Sequence, residues 1–319
     1  IMNDFKILFS GTPDFAVESL IILVENGYNI CGVITAPDKP AGRGMQMQQS
    51  AVKKYALSKG LYILQPEKLK DAVFLSEVAS LKADLHIVVA FRMMPEQLWS
   101  MPRLGTLNLH ASLLPQYRGA APINRAIMNG ETTTGVTTFF LKHEIDTGDI
   151  ILSDKVDIGP TETAGELHDR LMHIGAALVL KTVQQIEKGN LSTTPQKSIT
   201  SELKHAPKIF KNDCIINWSD KTSTVFNQIR GLSPYPGAFT MLEDKNGKTL
   251  TLKIYSALFL ESKELSETGK IISDNKSFLN ITTSDGIISI KELQLEGKKR
   301  MSAEEFLRGF SINDYTVKK

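Results

Sequence analysis

Hydrophobic and polar positions along the chain follow two rhythms that change near residue 190. In the first part, short apolar runs alternate with stretches of helical period. Lys6-Ile7-Leu8-Phe9 reads as a strand, Ala16 to Glu25 as a helix closed by Asn26-Gly27, and Ile30 to Thr35 as the next strand. The alternation continues with a helix over 51–59, a strand near Tyr62-Ile63-Leu64 and a helical stretch near Ala72 to Leu81. Leu85 to Ala90 is apolar apart from His86 and reads as a buried central strand. Further elements follow at a helix ending near Met101, a strand over 106–110, a short helix over 123–128, strands over 135–140 and 150–156, and a long helix over 164–188. Such alternation predicts a doubly wound, mostly parallel α/β sheet.

The rhythm then shifts. Residues 190–207, with Leu191-Ser192-Thr193-Thr194-Pro195, read as a linker. Short β-like runs at 215–218, 238–242, 249–255, 270–272, 278–282 and 286–293, with helices near 224–230 and 302–310, have small-barrel spacing. The expected organisation is a catalytic domain over 1–189, a linker over 190–207 and an OB-like β-barrel over 208–319. Ala36 to Ser50 has two prolines, two glycines and no periodicity, and reads as a long mobile loop.

Composition refines this picture only slightly. The 319 residues, 42% hydrophobic and 23% charged, fit a globular protein of two domains. No apolar run reaches membrane-span length, and no basic segment with an apolar core opens the chain, so a cytoplasmic protein without membrane contact is expected. Cys31 and Cys214 match no redox or metal spacing, and His168 and His173 are five apart with no carboxylate cluster, so no metal is expected. The net charge of +2 is uneven: 18 basic and 20 acidic residues through 190, then 19 and 15, or −2 and +4. An excess of four is a weak pointer to a polyanionic partner.

Chemistry concentrates in Thr106 to Pro122, TLNLHASLLPQYRGAAP. Strand alternation turns Asn108 and His110 the same way, at a carboxyl end followed by a proline-containing loop, where open α/β sheets place ligands. Glu144-Ile145-Asp146-Thr147-Gly148-Asp149 adds a turn with three carboxylates. Asparagine and histidine can donate to a tetrahedral oxyanion, and an aspartate can favour a charged imidazole and join a proton route. Together they can run acyl transfer to an amine without a protein nucleophile. No G-x-S-x-G, dinucleotide or P-loop signature is present.

The order Asn108-x-His110-x-Ser112-Leu113-Leu114-Pro115-x-x-Arg118-Gly119, followed by Asp146-x-Gly148, resembles the folate-dependent formyltransferases. Gly11-Thr12-Pro13-Asp14-Phe15, Pro37 to Gly44, Gly119-Ala120-Ala121-Pro122, Ala206-x-Lys208-Ile209, Ile216-x-Trp218 and Pro234-Tyr235-Pro236-Gly237-Ala238-Phe239 are similar to the methionyl-tRNA formyltransferase family within it.

The resemblance implies formyl transfer from 10-formyltetrahydrofolate to the amino group of methionyl initiator tRNA, by a monomer. It implies Asn108, His110 and Asp146 as the catalytic trio. Ser112, Leu113, Leu114 and Pro115 would lie along the folate, and Phe91, Arg92, Met93 and His143 would wall its pterin pocket. Lys39, Arg43, Lys208 and Lys211 would contact the tRNA. Met45-Gln46-Met47-Gln48 stands where the family usually carries a basic pair, and Phe91-Arg92 where it usually carries Tyr-Gly. An alternative left open is a small amine acceptor, such as glycinamide ribonucleotide or an amino sugar.

Overall fold

A computed structural model describes residues 4–41, 45–198, 202–262 and 267–318. Its elements run β1 Lys6–Gly11, α1 Asp14–Glu25, β2 Asn29–Ile34, β3 Lys39–Ala41, β4 Gln46–Gln48, α2 Ala51–Ser58, β5 Ile63–Leu64 and α3 Ala72–Leu81. They continue as β6 Leu85–Val89, α4 Glu96–Trp99, β7 Thr106–His110, α5 Pro122–Met128, β8 Thr133–Phe140, β9 Ile150–Asp157 and α6 Ala164–Glu187. After residue 200 come α7 Thr222–Gly231, β10 Ala238–Asp244, β11 Thr249–Glu261, β12 Ile271–Ser273, β13 Leu279–Thr282, β14 Gly286–Leu295, β15 Met301–Ser302, α8 Ala303–Leu307 and β16 Tyr315–Val317.

The chain divides into two compact units. The first comprises Ile1–Gly119, Thr134–Val156 and His168–His205; the second gathers Ala120–Thr133, Asp157–Leu167 and Ala206–Lys319.

In the first unit seven strands lie in the order β5-β2-β1-β6-β7-β8-β9, parallel from β5 to β7, with β8 antiparallel to β7. The five residues of β6 are all buried, as its apolar run demands at the centre of a sheet covered on both faces. On one face Leu8, Ile34 and Val88 pack with Phe74 and Val78 of α3 and Leu98 of α4. The other face receives α6, where Gly175 lets Leu109 of β7 approach and Thr182 meets Thr138 at 2.8 Å. Helix α1 joins α6 through Phe15 and His168, ring centroids 5.3 Å apart, and through Glu18, 3.7 Å from His173. The expected doubly wound sheet is thus present, and its strand ends carry the loops of interest. Asp71 and Ser50 cap α3 and α2 by accepting backbone N–H groups of Phe74 and Lys53.

The second unit is an OB-like antiparallel barrel in the order β12-β13-β14-β11-β10-β16, with β15 paired to β14. The long strand β11 shifts register between Ile254 and Ala257, the kind of bulge that lets one strand bend between partners. Leu252, Ile254, Ile281, Ile288 and Leu293 point into its core beside Ile229 of α7 and Phe306 of α8. Buried Trp218 donates its indole N–H to Thr240 at 3.1 Å.

Two readings of the sequence are corrected. Ala36 to Ser50 is not simply a loop: Lys39–Ala41 and Gln46–Gln48 pair as an antiparallel hairpin. The run over 215–218 is not a strand. Ile216 and Trp218 bury while Ile215 faces out, but only Ile215 bridges Phe239 and turns bound the segment on both sides. Residues 190–207 also carry structure, with Thr194 bridging Ile150, a 3₁₀ turn over Gln196–Ser198 and His205 bridging Arg118. Sequence periodicity also passed over β16, a three-residue strand that closes onto β10.

Candidate active site

Strand β7 carries Asn108 and His110 to the carboxyl edge of the sheet. Asn108 pairs with Val88 on one side and Phe139 on the other, while His110 pairs with Thr137. Period-two alternation therefore turns Asn108 and His110 to the α3–α4 face and Leu109 to α6. Asn108 is half-buried and His110 buried.

The loop after β7 is fixed by a few polar contacts. Thr137 donates its hydroxyl to the Ser112 carbonyl at 2.7 Å and accepts the Leu114 N–H at 3.2 Å, so one buried hydroxyl holds both ends of the turn. Ser112 donates to the Gln116 carbonyl at 2.7 Å. Tyr117 takes a left-handed φ of 58° and offers its carbonyl to His110 Nε2 at 2.8 Å. A carbonyl only accepts, so Nε2 carries a hydrogen and Nδ1 is the ring atom turned toward Asp146.

Asp146 sits in the β8–β9 connection, left-handed at φ 54°. Its Oδ2 accepts the Gly119 N–H at 3.0 Å and lies 3.8 Å from His110 Nδ1. At 3.8 Å the two are not directly hydrogen-bonded and no atom fits on the line between them, so a water or reacting oxygen bonded to both would sit to one side. Gly148 explains why the turn takes this path: a β-carbon there would lie 1.5 Å from the Phe140 carbonyl oxygen. Glycine is required by packing, since only a bare backbone can pass so close.

The remaining expected residues fall into groups. Ser112, Leu114 and Pro115 are buried beside His110 in sequence and Leu113 is half-buried. Phe91, Arg92 and Met93 leave the end of β6, whose Val89 is paired with Leu109, so they belong to the same sheet edge. Phe91 is half-buried and Met93 exposed, while Arg92 donates to the carbonyls of Glu67 and Pro66. His143 is exposed, edge-on to Trp99 at 5.5 Å and 3.5 Å from Glu96. Lys39 is exposed on β3, and Arg43 lies outside the described residues. Lys208 and Lys211 are exposed in the second unit, Lys208 with its ammonium 5.8 Å from the Phe210 ring centre.

Two residues of the site went unread in the sequence, Thr137 and Gln196. Gln196 is buried and bonds to Arg118 and to the backbone of the Asp146 turn. Its only sequence signal is a glutamine after Thr194-Pro195 in a segment otherwise rich in small polar residues.

Comparison with known proteins bears on the whole arrangement. A family model described as formyl transferase matches residues 5–183, and one described as formyl transferase, C-terminal domain, matches residues 208–311. A methionyl-tRNA formyltransferase of Parabacteroides distasonis is 54% identical over 320 residues, 99% of each chain. One of Phocaeicola vulgatus is 55% identical over 316 residues, 98% of each. Among solved structures, an N-formyltransferase from Helicobacter canadensis in complex with folinic acid and dTDP-3-aminofucose aligns with a TM-score of 0.66 at 21% identity. That alignment covers 93% of this chain and all of the other. HypX from Aquifex aeolicus in complex with tetrahydrofolic acid aligns at 0.64 and 20% identity, covering 99% of this chain and 51% of the other. At such identities the two structures speak to fold alone.

Proposed function

This chain belongs to the formyl transferase family, among the methionyl-tRNA formyltransferases, and on that premise we propose that it transfers a formyl group from 10-formyltetrahydrofolate to the α-amino group of methionyl initiator tRNA. The observation that carries this reading is similarity above half identity across both units, the barrel included. A small-amine acceptor offers no comparable reason for the excess of four positive charges over residues 191–319.

In the reaction the amine attacks the formyl carbon, a C–N bond forms and the carbonyl oxygen takes on negative charge. The Asn108 amide donates to this oxyanion, and His110, whose Nε2–H is held by the Tyr117 carbonyl, adds a second donor through Nδ1 when the ring is protonated. A water beside the Nδ1–Asp146 pair, bonded to both atoms from one side, carries away the amine's proton. As the tetrahedral centre collapses, the bond from carbon to the folate nitrogen breaks and that nitrogen regains a proton. No side chain becomes acylated, in keeping with a site built from an amide, an imidazole and a carboxylate.

For the donor substrate, Ser112 to Pro115 and half-buried Phe91 with exposed Met93 give apolar surface for a flat ring, and Arg92 and His143 border it. Lys39, Arg43, Lys208 and Lys211 are the cations assigned to tRNA phosphates, with 1–189 as catalytic domain, 190–207 as linker and 208–319 as tRNA-binding domain. The enzyme works as a cytoplasmic monomer.

The test supplies 10-formyltetrahydrofolate with methionine-charged initiator tRNA, methionine-charged elongator tRNA or glycinamide ribonucleotide and follows release of tetrahydrofolate. Release with the initiator tRNA alone is expected. Release only with the small amine would overturn the acceptor assignment while keeping the trio, and release with none would overturn both.

A further inference from the structure

Gln196 uses its whole amide on two segments of the first unit. Its Nε2 donates to the carbonyls of Asp146 at 2.9 Å and Gly148 at 2.7 Å. Its Oε1 accepts from Arg118 Nε at 3.0 Å and Nη2 at 2.7 Å. Two carbonyls on one side and a guanidinium on the other fix which amide atom is which, and the side chain is 3% exposed. The next residue after Arg118 is Gly119, whose N–H holds the Asp146 carboxylate. The 118–119 and 146–148 segments are therefore tied twice, once through the carboxylate and once through Gln196 behind it.

We infer that Gln196 is a positioning residue for Asp146, clamping the left-handed turn so that its carboxylate keeps its place beside His110. The inference rests on the role given to Asp146 above. Physical need for the clamp is plain. A non-glycine residue at φ 54° sits in a sparsely populated region and persists only where its surroundings over-determine it. Two charge-independent bonds from a buried amide to the turn's carbonyls, backed by a guanidinium on the amide oxygen, supply that constraint. A carboxylate displaced by about 1 Å would cost on the order of a hundredfold in rate.

Single-turnover formylation with enzyme in excess over the charged tRNA and 10-formyltetrahydrofolate saturating, with KM for the charged tRNA from steady-state titration beside it, tests this, using Gln196→Met, Asp146→Asn and the double variant. Gln196→Met is expected to slow the step about 10- to 100-fold, with KM for the charged tRNA moving less than about threefold. On the Asp146→Asn background the same change should cost less than about twofold, because the clamp has nothing left to hold. A Gln196 loss that multiplies in full on Asp146→Asn removes the clamp and leaves the role of Asp146 standing. Asp146→Asn with normal turnover removes that role and this inference with it. Should Gln196→Met fail to fold, Gln196→Glu decides. It keeps an oxygen for Arg118 and turns another at the two carbonyls, so it should also slow the step, and a normal rate would overturn the clamp.

Discussion

His86 and His110 stand on neighbouring parallel strands and face the same side of the same sheet, yet their surroundings give them opposite work. His86 is the second residue of β6, wholly buried, with Nε2 2.7 Å from Ser10 Oγ and no partner for Nδ1 among the described residues. Burial alone pushes its pKa down from 6.5 to about 3, so it remains a neutral packing group. His110 lies at the strand's end, anchored through Nε2 to Tyr117 and turned through Nδ1 toward a carboxylate. What separates them is position along the strand. An imidazole at the register level of Thr106, four residues before His110, is sealed inside the sheet and bonds to one hydroxyl, whereas one at the carboxyl edge meets loops that carry charge.

The largest effect should come from exchanging the two in a substitution experiment. His110→Ala is expected to lower turnover about 10³-fold, roughly 4 kcal/mol of barrier, by removing a donor and a proton station. His86→Leu should leave turnover per folded molecule within about threefold. Steady-state formylation, normalised to the folded fraction by circular dichroism, reads both. Equal losses would erase the distinction between site and core.

Stability against pH sharpens the same contrast. The folded pKa of His86, about 3, lies below its unfolded value of 6.5, so the unfolded chain binds the extra proton between these limits. The stability tied to the neutral ring is fully present above pH 6.5 and is lost as pH falls from there toward 3. At pH 4.5 the loss is about 3 kcal/mol relative to pH 7. Urea unfolding at the two pH values should give a steeper decline for the wild-type chain than for His86→Leu by about that amount. Parallel declines would mean that His86 is not buried neutral.

How far these roles were legible in sequence depends on how far apart the partners lie. Asn108 and His110 are two residues apart on one strand, and alternation alone puts them on one face. Asp146 was visible as a turn carboxylate, but its place beside His110 follows from strand β8 returning antiparallel, and only the family resemblance singled it out. Gln196 reaches partners 50 and 78 residues away, and no local pattern marks a buried amide inside a stretch of serine, threonine and proline. The β3–β4 hairpin was hidden for the opposite reason: prolines and glycines dominate its composition, while three paired residues on each side suffice to make it. The barrel's strands were mostly legible from alternation, and the failure at 215–218 shows that alternating burial needs a full partner strand to become a strand.

The smallest effect isolates the single hydrogen bond of the buried histidine. Ser10 is itself fully buried on β1, two residues beyond Leu8, the register partner of His86, and its hydroxyl is the hydrogen-bond partner of the ring. In Ser10→Ala the ring keeps its shape and its apolar neighbours but loses its polar contact, leaving both nitrogens unsatisfied. A buried polar group stripped of its partner costs about 1–3 kcal/mol, and the small volume change adds little, so a loss of about 1–2 kcal/mol in urea unfolding at pH 7 is expected. Because His86 and Ser10 belong to the sheet interior and not to its edge, formyl transfer per folded molecule should stay within about twofold. A larger drop in turnover than in stability would place the Ser10–His86 pair in the reaction path, and the division between interior and edge would then have to be redrawn at β6 rather than at the end of β7.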